Sequence, residues 1–168
     1  MFGMRKRAAA TAVYLMLLPG VQAQRAGSST LVVHVMPEAR VAPSGMTLQF
    51  QVSGGGGTTQ GATVTAWVRA PAGTQIRLQA RLTALNGPDG AVAGATVVWS
   101  GATAQSTGGG RQANCISGAF ANANTQDMVQ GWRQSGTVQC AVTFQLAQPG
   151  TLTPGVYTGT VEFGAGAN

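Results

Sequence analysis

Residues 75–84 read QIRLQARLTA, and the apolar side chains fall on every second position: Ile76, Leu78, Ala80 and Leu82 against Arg77, Gln79, Arg81 and Thr83. A backbone that sends successive side chains to opposite faces is a β-strand, so this spacing predicts a strand with one face in a core and one in water. Residues 136–146 repeat the pattern with Val138, Cys140, Val142, Phe144 and Leu146 on one side. Residues 47–52 place Leu48, Phe50 and Val52 together, and residues 156–163 do the same with Tyr157, Val161 and Phe163. Residues 30–36, 62–69 and 95–100 are further candidates, rich in Val, Thr or Trp, the residue types that suit a pleated, half-buried surface. Turn signals separate these runs: Pro71-Ala72-Gly73 at hairpin distance between two of them, the cluster at 86–90, and another at 149–155. About seven strands punctuated in this way predict an all-β chain, a single antiparallel β-sandwich of immunoglobulin-like type. A closed barrel has the same strand count and stays open at this point.

Two stretches fall outside the pattern. Residues 54–57 are four glycines and read as a loop tip. Residues 101–134 are Gly- and Asn-rich, contain Phe120, Met128 and Trp132, and read as a long excursion with a short helix at 125–130.

The N-terminus is organised differently. Arg5, Lys6 and Arg7 precede an apolar run over 8–18, which Pro19-Gly20 ends, and Val21-Gln22-Ala23 offers small residues for cleavage. That order predicts a signal peptide over residues 1–23 and a single mature domain over residues 24–168. A bilayer-crossing helix takes about 20 apolar residues, more than this run holds, and no later segment is as long, so no membrane span is expected in the mature chain. The expected location is periplasmic, secreted or cell-surface in a bacterium. Without the leader, seven arginines against four carboxylates leave a net charge of +3. The arginines are scattered, whereas nucleic-acid binding rests on a concentrated basic patch, so no nucleic-acid partner is expected.

Cys115 and Cys140 are the two cysteines of the chain. An even pair in an exported protein predicts one disulfide between them. As zinc ligands they would lack companions: His34 is the sole histidine and lies far off in sequence, so neither a metal nor a cofactor is expected. Nucleophilic catalysis would have to recruit that same histidine, and no serine stands in a nucleophile-elbow context. Four carboxylates, Glu38, Asp89, Asp127 and Glu162, offer no evident flanking pair. The glycine runs at 54–57 and 108–110 do not open a helix that would cradle phosphate. No catalytic residues are therefore assigned, and the chain is expected not to be an enzyme. Of the three tryptophans, Trp99 follows Val97-Val98 and reads as core, while Trp132 beside Arg133 reads as a partner contact.

The stretch TPGVYTGTVEF at 153–163 resembles the closing strand of bacterial exported β-sandwiches, including spore-coat-U-like proteins and archaic chaperone–usher pilin subunits. Residues 76–99, a long strand and a Gly-rich turn before a Val-Val-Trp strand, also look like secreted immunoglobulin-like domains. The resemblance implies a structural or surface-interaction role, within a homopolymer or with other envelope proteins. A secreted module that binds carbohydrate or protein is the alternative. Residues 29–36 bear on the choice. Leu31, Val33 and Val35 alternate, with Pro37 and Pro43 behind them to interrupt continuous pairing. Such a segment serves either as the domain's own first strand or as a donor strand that joins one copy to the next.

Overall fold

The computed structural model describes residues 36–92, 97–120 and 124–168. Its strands are β1 (Glu38–Ala42), β2 (Gly45–Ser53), β3 (Gly56–Gly57), β4 (Thr59–Arg69), β5 (Ile76–Gly87), β6 (Gly90–Val92), β7 (Val97–Gly108), β8 (Asn114–Cys115), β9 (Gly118–Ala119), β10 (Gln126–Asp127), β11 (Val129–Gln130), β12 (Gly136–Leu146) and β13 (Gly155–Ala167). One sheet runs β1-β4-β12-β7-β9; the second runs β3-β2-β13-β5, with β6 and β10 both on the outer edge of β5, and β8 and β11 form a separate pair. Every pairing is antiparallel.

The alternation in the sequence becomes the core of a two-sheet sandwich. Leu48, Phe50 and Val52 of β2, Leu78 and Leu82 of β5 and Val161 of β13 face Val64, Ala66 and Val68 of β4 and Val138, Val142 and Phe144 of β12, all at most 2% exposed. Fully burying an aliphatic or aromatic side chain of this size contributes about 1.5–3 kcal/mol, so these positions carry most of the drive to fold. Aromatic rings run through the middle of the sandwich: Trp99 to Phe120, Phe120 to Phe144 and Phe144 to Phe163, with centroids 4.7, 6.3 and 6.5 Å apart.

Several expectations need correction. The strand expected at 95–100 extends as β7 to Gly108, through Gly, Ala, Ser, Thr and Gln residues that are mostly exposed and so show no apolar alternation. Its ladder with β12 supplies the order that its composition does not, with a bulge opposite Gln139 and Cys140. Residues 125–130 form β10 and β11, not a helix. Their backbone groups are claimed by neighbours, Met128 N–H donating to the Leu78 carbonyl and Ile116 N–H to the Met128 carbonyl. The glycines at 54–57 make a tight turn, Gly54 and Gly55 both at positive φ, before Gly56–Gly57 pair with β2. Pro71-Ala72-Gly73 is no hairpin, because β4 and β5 belong to opposite sheets. Residues 164–167, which follow the strand expected at 156–163, continue it as β13.

Candidate functional site

A sandwich has sheet edges, and the edges of this one are finished in different ways. An edge strand presents unpaired N–H and C=O groups that invite another chain to add. On β2 the outer edge is closed by side chains. The Gln60 carboxamide, at the rim of the opposite sheet, accepts from Gln49 N–H at 2.7 Å and donates to the Thr47 carbonyl at 3.1 Å. Thr58 completes the seal, its Oγ1 accepting from Gln51 N–H at 2.9 Å and its own N–H donating to the Gln51 carbonyl at 3.1 Å. Gln60 thus stands in for a peptide unit of a missing strand.

The outer edge of β5 is covered at both ends. Ile76 N–H donates to the Trp132 carbonyl, the Leu78 carbonyl accepts from Met128, β10 pairs at Gln79 and Ala80, and β6 pairs at 85–87. On β7, β9 pairs at Val98 and Trp99, and Thr103 Oγ1 accepts from Cys115 N–H at 2.9 Å. Residues 109–120 and 124–135 therefore cover sheet edges. They are fastened by the Cys115–Cys140 disulfide, which ties β8 to the central strand β12 with a Cα–Cα distance of 5.8 Å. The indole N–H of Trp99 donating to the Ile116 carbonyl at 3.0 Å is a second fastening.

The end of β13 is finished differently. β2 pairs with β13 only as far as Glu162, and Phe163 N–H donates to the Ser44 carbonyl, yet β13 continues to Ala167. Asn168 N–H donates to the Gln75 carbonyl on the β5 side. Alternation along the strand then directs the N–H and C=O groups of Ala165 and Ala167 away from β5. Among the described residues these groups have no ladder partner. Across from them in the other sheet runs β1, which among the described residues pairs only with β4. Between the two edges lies a cavity of about 180 Å³ lined by Pro37, Glu38, Ala39, Val68, Gly166 and Ala167. Its floor is apolar, since Val68 is fully buried and Ala167 faces inward half-buried. On the rim, Glu38 accepts two hydrogen bonds from Arg40, at 2.7 and 2.9 Å.

Of the residues singled out from sequence, Cys115 and Cys140 form the expected disulfide. Trp99 is in the core, as expected. Trp132 is not a surface contact: it is 1% exposed, and its indole N–H donates to the Gln134 carbonyl at 2.8 Å. The expectation failed because the surrounding glycines and asparagines read as loop, whereas this turn packs on the end of β5 and buries the ring. Arg133 next to it is exposed. Leu31, Val33 and Val35, like His34 and the leader 1–23, lie outside the described residues. Sequence reasoning missed Gln60 and the end of β13; it placed Trp67 in the strand at 62–69 without assigning its face, and the residue is 37% exposed on the outer face of β4. Among family models, curated proteins and solved structures, none matches this chain.

Proposed function

We propose that this chain is an exported, non-catalytic structural protein of a bacterial surface. It assembles by β-strand addition, with residues 29–36 of one copy entering the seam between β1 and β13 of the next. The observation that carries this reading is the contrast between two edges: β2 is sealed residue by residue, while β13 runs on past it to Ala167 with inward-facing alanines and outward glycines. Small side chains let a second backbone approach closely, and the peptide groups of Ala165 and Ala167, without a ladder partner among the described residues, supply the hydrogen bonds that strand addition uses. Phe163, Ala165 and Ala167 mark three inward positions along the seam, and Leu31, Val33 and Val35 are three apolar side chains at the same period of two. The two-sheet strand order is compatible with an immunoglobulin-like arrangement, in keeping with the resemblance of the closing strand.

The experiment is a deletion with rescue in trans. Remove residues 24–36 and measure folding and self-association, then add a synthetic peptide of residues 29–36. Strand addition predicts a truncated chain that stays folded, loses self-association and binds the peptide. It also predicts that Val33→Asp in the peptide abolishes binding, because an unpaired carboxylate would enter an apolar seam. A truncated chain that unfolds and is not rescued would mean that the segment serves only its own domain.

A further inference from the structure

The arginines are scattered along the sequence, and the fold gathers most of them at one end of the sandwich. Six arginines and four carboxylate side chains fall among the described residues. Arg69 closes β4, with Glu38 and Arg40 of β1 alongside, and Arg77 is the second residue of β5. Arg111 lies in the 3-10 turn Gly109–Gln112 that follows β7, and Arg133 in the turn that leads into β12. Hydrogen bonds knit these ends together. Ser135 Oγ accepts from Ala70 N–H at 2.9 Å and donates to the Ala70 carbonyl at 2.8 Å. Gly73 N–H donates to the Arg133 carbonyl at 3.2 Å, and Gly109 N–H to the Ser135 carbonyl at 2.9 Å. Five arginines thus share this end with two carboxylates, Glu38 and Asp127. Arg81, farther along β5, stands opposite Glu162, and Asp89 occupies the turn between β5 and β6 at the other end.

Two of the five are engaged. Arg40 is bonded to Glu38, and Arg77 lies 3.9 Å from Asp127. Arg69, Arg111 and Arg133 are exposed and have no ion-pair partner among the described residues. Like charges collected without counter-charges work against the compact state, a cost that an external anion offsets. Beside Arg133 opens a cavity of about 290 Å³, walled by Ile76, Val129 and Trp132 and edged by Gln75 and Gln130. Asp127 also borders it, but its carboxylate already accepts from Gln79 Nε2 at 2.7 Å and faces Arg77.

We propose that this end of the molecule binds a carboxylate-bearing polysaccharide. A guanidinium presents planar pairs of N–H donors that meet a carboxylate two at a time. Three guanidiniums on three separate elements suit an anion that repeats along a chain, because one small ion would occupy only part of the set. The carboxamides of Gln75 and Gln130 offer donors and acceptors to sugar hydroxyls, and the apolar wall beside them takes the C–H face of a ring. Single-stranded nucleic acid calls for exposed aromatic platforms. Here Trp132 is 1% exposed and the Arg40 guanidinium lies over Trp67, 6.0 Å from the ring centroid. Duplex DNA is held through about six or more phosphate contacts, more than three free arginines supply.

The chain over residues 24–168 is titrated with fluorescently labelled oligogalacturonate at low salt, with neutral dextran and a single-stranded oligonucleotide as comparisons. Oligogalacturonate should bind, dextran should not, and the oligonucleotide should bind about tenfold more weakly or less. Raising the salt to physiological strength should weaken oligogalacturonate binding severalfold, as expected for exposed charges. Arg69→Gln, Arg111→Gln and Arg133→Gln should each weaken it about threefold or more, and the triple substitution about thirtyfold or more. Arg81→Gln removes the same charge away from this end and should leave affinity unchanged. Arg133→Lys keeps the charge but loses the planar fork, and should recover only part of what Arg133→Gln loses. Should the triple variant prove poorly folded by circular dichroism, the comparison of Arg133→Gln with Arg81→Gln decides. Absence of oligogalacturonate binding overturns the proposal. So does a loss on Arg81→Gln equal to that on Arg133→Gln, or an oligonucleotide that binds as tightly as the uronate.

Discussion

At the scale of single residues, Gln60 illustrates what one side chain can do at an edge. Its carboxamide satisfies one donor and one acceptor of β2 that would otherwise face water or another chain. Gln60→Ala should cost about 1 kcal/mol in urea unfolding, the net value of exposed hydrogen bonds. It should also raise self-association through β2, seen as concentration-dependent sedimentation; an unchanged sedimentation profile would show that the clasp does not guard the edge. Nothing in TTQGAT announces this role, because it depends on two strands of opposite sheets meeting at the rim. Trp132 shows the converse. Its chemistry was visible in the sequence but its burial was not, and Trp132→Ala should destabilise by about 3–5 kcal/mol, the range for deleting a large core side chain. Gly118 was equally silent: a Cβ there would strike the Trp99 ring. Gly118→Ala should therefore lower stability by about 1–3 kcal/mol through overpacking, checked by the same unfolding curves.

At the scale of elements, the strands that line the core were legible and those that finish the edges were not. β2, β5 and β12 bury alternate residues, so their composition carries the period. The far half of β7, together with β8 to β11, is ordered by backbone bonds and one covalent link, which leave no trace in hydropathy. The link makes this testable. Reducing Cys115–Cys140, or replacing both with Ala, should cost about 3 kcal/mol, as expected for a loop of this length. Because β8 would lose its anchor on β12, new proteolytic cuts should appear within residues 109–135 before the rest of the chain is attacked. Cuts distributed evenly over the molecule would show that the excursion is no separate cover.

At the scale of the whole molecule, the sandwich combines edges closed by side chains and short strands with a seam at the end of β13 whose peptide groups have no ladder partner among the described residues. The sandwich itself was readable because two inner faces must both alternate. The seam was not, since its place depends on β2 ending at Gly45 while β13 continues, a difference in pairing rather than in residue type. Residues 29–36 could be recognised in sequence as an apolar alternating segment, but not whether they serve their own domain or a neighbour. Amide hydrogen exchange at Ala165 and Ala167 decides between these most directly. In the chain lacking residues 24–36, both amides should exchange as open-edge groups. Adding the 29–36 peptide should slow both by about tenfold or more, the factor that about 1.4 kcal/mol of pairing provides. The Val33→Asp peptide should leave them unchanged. Exchange at Ala165 and Ala167 that the wild-type peptide does not alter would contradict strand addition at this seam.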